Sequence, residues 1–328
     1  MERVVALNKK IRFGVAGAGK MGVNHIRIVS ELNSQFEFMG IFDPDPATKS
    51  IADRYGIRFY ASYEEMLDEV EAVIIASPSS LHYKMALQAA EKGVHALVEK
   101  PMAETVEEVT AIQQAFRERN LVLAVSCVER FSPVIRVLSE LVKEEEILAV
   151  EVHRCSPYDP RIFDVDVVSD LMIHDIDIVC NAIMDEEPSE IQAYGMNVFS
   201  ASFADYAHAI MSFSNGVRAF ITSSRSTQDK IRMLCIHARE AYIEADMLNK
   251  TITVKRGIRY VQDAPHISYK QYNLTEQIVV PNKEPLKEDI YNFGLAVAGE
   301  PAFLVEGEQI LRDMRTLDRV HKSIYEKM

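Results

Sequence analysis

The sequence predicts an α/β protein built in two parts: a doubly wound parallel sheet, then an α+β domain with a large open, mainly antiparallel sheet. Three observations carry this. Short apolar runs alternate with amphipathic segments over the first third, a glycine-rich turn follows the first apolar run directly, and strand-like segments crowd together after about Cys127. The 328 residues exceed what one ordinary domain needs. Residues 1–127 are expected to form the first domain and 128–328 the second.

In the first part, strands are expected at Ile11–Ala16, Phe36–Phe42, Ala72–Ala76, His95–Val98 and Leu121–Val125. Helical patterns fall between them at Met21–Leu32, Ala47–Tyr55, Tyr63–Asp68, Ser80–Lys92 and Val106–Arg119. Alternation of this kind reads as βαβ units. Uniformly apolar strands such as Ala72-Val73-Ile74-Ile75-Ala76 suit a parallel sheet, which is covered on both faces. In the second part a helix at Ser132–Lys143 leads to a strand at Ile147–Arg154, a loop rich in Pro, Asp and Tyr, and a helix from about Val167 to Met184. Strand-like text then fills Glu190–Val280, with turn signals at Ser214-Asn215-Gly216 and Arg256-Gly257, and helices at Leu286–Ala298 and Glu306–Lys327 close the chain.

Hydrophobic residues make up 48% of the chain and charged residues 26%, the balance of a soluble globular protein. The formal net charge of −13 opposes nucleic acids and anionic membranes as large-surface partners, since both require a basic face. Cys127, Cys155, Cys180 and Cys235 show no CxxC or metal-like spacing, so reduced thiols and no metal site are expected. Neither a leader-like apolar stretch nor a membrane-length run is present, and a cytoplasmic location is the expectation.

Gly17-Ala18-Gly19-Lys20-Met21-Gly22 opens the first helix. Gly17 permits the tight turn, Gly19 lets the backbone approach a pyrophosphate, and Gly22 lets helix and strand pack closely. Lys20 and Met21 sit at the positive end of that helix, where phosphates accept unpaired N–H groups. The second strand ends in Phe42-Asp43, about 20 residues beyond the last glycine, where a carboxylate can accept from both ribose hydroxyls. Asp43 also repels a 2′-phosphate, and Pro44-Asp45 follow where an NADP site would want Arg, Lys or Ser. The pattern predicts a Rossmann unit that takes NAD rather than NADP.

Glu99-Lys100-Pro101 closes the His95–Val98 strand at the sheet edge that faces the ligand crevice. A lysine there can donate to a substrate hydroxyl. Asp170 and His174 are spaced i, i+4 on the helix after the long loop, so a carboxylate can hold an imidazole in one tautomer.

Gly17–Gly22, Asp43, Ala76-Ser77-Pro78, Glu99-Lys100-Pro101 and Asp170-xxx-His174 occur in the order seen in the glucose–fructose oxidoreductase/inositol dehydrogenase/MocA family, which the chain resembles along essentially its whole length. The resemblance extends to Glu306-Gly307-Glu308 and the final helix. It implies a Rossmann domain and an open-sheet domain assembled as a homodimer or homotetramer through that sheet. It also implies a cis bond at Lys100–Pro101 and a catalytic set of Lys100, Asp170 and His174. Ser77, Pro78, His82, Glu99 and Lys100 join the glycine loop and Asp43 as cofactor-binding positions. The implied reaction is oxidation of a secondary alcohol on a sugar or cyclitol.

Val128-Glu129-Arg130-Phe131-Ser132-Pro133 and Asp164–Asp177 resemble the subgroup that oxidises the 3-hydroxyl of UDP-N-acetylglucosamine-type nucleotide sugars. A diphosphate needs cations, and Arg130, Arg154, Arg161 and Arg225 are available, with Tyr158 nearby as a stacking or hydrogen-bonding group. Glu129 stands where the family has a small or amide residue, which argues against direct transfer of inositol or glucose specificity. A same-fold oxidoreductase acting on an imine, dihydrodiol or tetrapyrrole, and a non-catalytic NAD sensor, are the alternatives that an intact Lys-Asp-His set disfavours.

Overall fold

A computed structural model of the chain describes residues 9–160, 165–260 and 271–326, with only the backbone at 257–260 and 271–272. Its first elements run β1 (Ile11–Ala16), α1 (Lys20–Glu31), β2 (Phe36–Phe42), α2 (Lys49–Tyr55), β3 (Arg58–Phe59), α3 (Tyr63–Leu67), β4 (Ala72–Ile75), α4 (His82–Glu91), β5 (His95–Glu99), α5 (Val106–Glu118) and β6 (Leu123–Ser126). Every expected strand and helix of this part is present. The two-residue β3 is an addition, too short to leave a periodic signal.

The six strands pair in parallel in the order β3-β2-β1-β4-β5-β6. That order reverses direction between β1 and β4, and in such sheets the crevice for a ligand opens at the reversal, beyond the carboxyl ends of the strands. All four residues of β4 are buried, as a strand covered on both faces requires.

The second part begins with α6 (Pro133–Leu141) and β7 (Ile147–Cys155). A helical stretch from Val168 to Ile183 follows, in which a regular turn, α7 (Ile173–Asp177), lies between two wider π-type turns, Val168–Met172 and Ile178–Ile183. Then come β8 (Glu190–Met196), β9 (Tyr206–Ser212), β10 (Arg218–Ser224), β11 (Ile231–Ala238), β12 (Ala241–Asp246), β13 (Thr251–Tyr260) and β14 (Gln271–Ile278), and finally α8 (Pro285–Val297) and α9 (Glu308–Tyr325).

Eight strands form one sheet in the order β14-β13-β12-β11-β7-β10-β9-β8, antiparallel except where β7 meets β10. Gly216, with φ of +88°, makes the expected turn between β9 and β10. The turn expected at Arg256-Gly257 is absent. β13 runs straight through those residues and absorbs them in a register shift against β14 between Arg256 and Arg259. A single glycine in a strand marks a bulge as readily as a turn.

Two compact units emerge, one comprising the chain to Phe131 with Glu284–Leu311, the other Ser132–Lys283 with the chain from Arg312. The chain therefore passes between units three times, whereas the sequence reading places one boundary at 127/128. α8 returns to the first unit because its apolar face completes that core. Phe293 meets Phe13 edge-on at 5.9 Å, Phe13 lies 4.4 Å from Phe36, and Gly294 has no side chain where the Phe36 ring packs.

The second unit's core lies on one face of its sheet, where Val150, Val152, Ile221, Leu234, Ile243 and Val254 pack with Ile176 and Val320. Within this apolar layer Arg154 donates through Nε to Asp175 Oδ1 at 2.8 Å, and both side chains are almost fully buried. A charge held this deep is tolerated only with its partner. We expect Asp175→Ala to lower stability by about 3–5 kcal/mol, read as a shift in the denaturant midpoint, because it removes the buried carboxylate to which Arg154 Nε donates.

Candidate active site

In the first unit the glycine loop begins where the Gly17 N–H bonds the Phe42 carbonyl at 2.8 Å and the Ala76 N–H bonds the Ala16 carbonyl at 2.7 Å. Gly17 has φ of +100°, and a Cβ there would collide with the backbone of Ala76 and Ser77. Gly22 is equally constrained, since its Cβ would run into the Gly17 carbonyl oxygen. Gly19 differs. No heavy atom lies within 4 Å of a Cβ built on it, so nothing in the protein requires a glycine there. Open space beside a glycine that precedes the bare N-terminus of α1, with no side-chain cap and no acidic residue in the first turn, is the cradle a pyrophosphate needs. Lys20 and Met21, exposed on that first turn, flank it.

Asp43 closes the cradle from the end of β2. Its Oδ2 accepts the Ala18 N–H at 2.7 Å and its Oδ1 accepts the Asp45 N–H at 2.9 Å. An ionised carboxylate has about four acceptor positions, which leaves room for ribose hydroxyls. Asp45 itself is engaged locally, accepting the Ala47 N–H.

Lys100-Pro101 has the expected cis bond. Around it the structure shows a buried polar frame that the sequence did not signal. His25 of α1, fully buried, donates from Nε2 to Glu99 Oε1 at 2.6 Å, and Glu99 Oε2 accepts the Lys100 N–H at 3.2 Å. His82 of α4, expected to contact the cofactor, is buried with Nδ1 2.7 Å from the Pro101 carbonyl and Nε2 2.8 Å from the Ser77 carbonyl. Its ring thus joins the ends of β4 and β5, while Ser77 and Pro78 line the edge itself. Across from Glu99 on β6, Ser126 donates to Asp289 of α8 at 2.6 Å. Burial pushes the Asp289 carboxyl up to about 8, with the neighbouring Glu99 charge adding to the rise against the Ser126 hydrogen bond. Arg130 is also buried, its guanidinium 5.5 Å from the centre of the Phe303 ring.

In the second unit, Asp170 and His174 lie one turn apart, Asp170 on the wider turn that precedes α7. Local widening of this kind recurs at functional positions in helices. Asp170 Oδ2 accepts from Arg225 Nη2 at 2.9 Å, and the same guanidinium donates to the carbonyls of Val165 and Asp166. Arg225 was a sequence candidate for the diphosphate, but it is buried and tied to Asp170. Arg154 is likewise tied to Asp175. Their acidic partners, 55 and 21 residues away, leave no short-range signal in the sequence. Tyr158 is exposed in the loop after β7, and Arg161 lies outside the described residues.

Residues 11–127 match the oxidoreductase family with an NAD-binding Rossmann fold, and residues 146–244 match the GFO/IDH/MocA C-terminal domain. UDP-N-acetylglucosamine 3-dehydrogenase of Acidithiobacillus ferrooxidans is 31% identical over 306 residues, spanning 92% of this chain and 94% of the relative. The chain belongs to the GFO/IDH/MocA oxidoreductase family. A solved structure of the same Acidithiobacillus ferrooxidans enzyme superposes with a TM-score of 0.87 at 29% identity, covering 97% of this chain and 98% of that one. The WlbA dehydrogenase from Bordetella pertussis, solved with NADH and UDP-GlcNAcA, shares the fold at a TM-score of 0.80 and 18% identity, over 98% of each chain. Nicotinamide-dinucleotide-dependent oxidoreduction is therefore the activity class. Among the described residues no helix is long and apolar enough to cross a membrane, and none of the four cysteines is in a disulfide.

Gly19→Ala should weaken dinucleotide binding in a fluorescence titration and leave the melting temperature unchanged, whereas Gly22→Ala should cost about 1–3 kcal/mol of stability through overpacking. Asp289 binds its proton more tightly folded than unfolded, so its contribution is complete below about pH 4 and is lost as pH rises through about 8. Asp289→Asn should flatten that part of the melting-temperature profile.

Proposed function

We propose that this chain is an NAD-dependent dehydrogenase that oxidises a secondary hydroxyl of a nucleotide sugar, with the 3-hydroxyl of a UDP-N-acetylhexosamine as the leading substrate. The observation that carries the proposal is Lys100 at the end of β5, braced by His25 through Glu99, at the same carboxyl edge as the Gly19 cradle. The relationship to UDP-N-acetylglucosamine 3-dehydrogenase supports the substrate class.

With its pyrophosphate in the cradle, a bound dinucleotide would supply the hydride acceptor through its nicotinamide ring. Lys100 binds the substrate oxygen and stabilises the negative charge that develops on it. His174 takes the hydroxyl proton, so the alcohol loses a hydride and a proton and leaves as a ketone. Arg225 holds Asp170 in place, and Asp170 in turn favours the imidazolium formed at His174. Asp43, already bonded to the glycine loop, repels a 2′-phosphate and so favours NAD over NADP. Ser77, Pro78, Lys20 and Met21 complete the cofactor surroundings, while Arg130, Tyr158 and Arg161 are the proposed substrate contacts. His82 supports the crevice from behind.

Residues 128–328 are proposed as the substrate and assembly region. Tyr194 and Met196 are exposed on the sheet face away from its core, which suits a homodimer or homotetramer formed through that face. A cytoplasmic location fits cysteines that form no disulfide.

The assay is formation of NADH or NADPH by the purified enzyme with UDP-N-acetylglucosamine, myo-inositol and glucose, each with NAD or NADP. UDP-N-acetylglucosamine with NAD should be the best pair, and Lys100→Met and His174→Asn should each lower kcat/KM by roughly 10²–10⁴-fold. Asp43→Asn should narrow the gap between NAD and NADP. Oxidation of inositol but not of the UDP-sugar, or full activity in the Lys100 and His174 variants, would overturn the proposal.

A further inference from the structure

Two exposed aromatic rings of the second unit stack on each other. Tyr158, after β7, and Phe199, between β8 and β9, have ring centroids 4.3 Å apart with planes tilted by 33°, and are 42% and 50% exposed. Single exposed apolar side chains are ordinary. This pair is unusual because buried polar groups hold both of its loops.

Asp205, 1% exposed, accepts three backbone N–H groups on its Oδ2, from Val198 at 3.0 Å, Phe199 at 2.7 Å and Ser200 at 2.8 Å. Burial pushes this carboxyl up, but the three donors outweigh that effect and hold it below the ordinary carboxylate range. The carboxylate therefore stays charged and keeps the Phe199 loop in one shape. On the other side, Arg232 donates to the Cys155 carbonyl at 2.6 Å and the Ser156 hydroxyl at 3.0 Å, and the Ser156 N–H bonds the Ser224 carbonyl at 2.9 Å. These contacts pin the root of the Tyr158 loop.

The same frame reaches Asp170. The Asp205 carbonyl accepts the Arg225 N–H at 2.8 Å, and the Arg225 side chain holds Asp170. One continuous set of hydrogen bonds thus sets both the carboxylate proposed for the reaction and the aromatic pair. Ser200 follows Phe199 in sequence, and Asp159 follows Tyr158. Polar neighbours of this kind suit a small heterocycle with polar edges.

We propose that Tyr158 and Phe199 form a stacking platform for the nucleobase of a nucleoside-diphosphate sugar whose sugar end is directed to Asp170 and His174. The inference rests on the nucleotide-sugar reading above and adds the residues that take the base. Aromatic faces accept any base, and loss of one such contact weakens binding roughly ten- to hundredfold.

The test is calorimetric binding of uridine diphosphate to the full chain, alongside the kinetics of UDP-N-acetylglucosamine oxidation. Phe199→Ala and Tyr158→Ala should each weaken uridine diphosphate binding roughly ten- to hundredfold. Both should raise KM for the UDP-sugar with little change in kcat, and Phe199→Tyr should restore binding. N-acetylglucosamine 1-phosphate, which lacks the base, should lose far less affinity than UDP-N-acetylglucosamine in the Phe199→Ala variant. Unchanged uridine diphosphate affinity in both alanine variants, or no binding by the wild type, would overturn the platform. A changed oligomeric state in sedimentation, with uridine diphosphate affinity intact, would overturn it in favour of a second copy of the chain. Wild-type binding of uridine diphosphate that the alanine variants lose, without oxidation of any UDP-sugar, would instead sustain the platform and reject the dehydrogenase substrate.

Discussion

Gly17 lies against the Ala76–Ser77 backbone with φ of +100°, and the architecture of the first unit depends on that contact. A side chain at Gly17 would part β1 from β4 at the point where the sheet reverses direction. Gly22 then lets α1 start against the Gly17 carbonyl, and the two restraints together aim the helix N-terminus into the crevice. Gly19, free of any such restraint, is the position at which a ligand rather than the fold explains the residue. Two of the three glycines build the site and the third leaves it open.

From this point the crevice is extended by buried side chains that do not themselves line it. His82 joins Ser77 to Pro101, His25 restrains Glu99, and Asp289 lies under Ser126. Each comes from a different helix, α4, α1 and α8. They share a logic: a polar group removed from water needs a partner with defined geometry, so each one fixes a piece of strand end. The edge of the sheet is thereby stiffened before any ligand arrives, the condition under which oriented groups stabilise a transition state without further reorganisation.

Much of this was legible in the sequence because it is local. β1 and β2 lie at their expected residues, and the glycine motif and Asp43 read as a dinucleotide site from spacing alone. What escaped was long-range or short. β3 spans two residues, and α8 packs with residues more than 250 positions earlier in the chain. Gly257 gave a turn signal that a bulge used instead. Arg154 and Arg225 read as free cations because their partners, Asp175 and Asp170, are set by tertiary folding. His25 lay on the apolar face of α1, where a buried imidazole leaves no pattern, and Phe199 stood in a loop without periodicity.

The pairing of Arg154 and Arg225 has a consequence for how a charged substrate arrives. A neutralised guanidinium acts as a short-range dipole, whose influence falls off much faster than that of a free charge. In a chain of net charge −13, these two residues cannot draw an anion from a distance. A dianionic sugar nucleotide would reach the protein without long-range attraction from them, and capture would rest on contacts made after encounter. Its association rate would then be modest, and added salt, by screening the overall negative field, would help the encounter rather than hinder it.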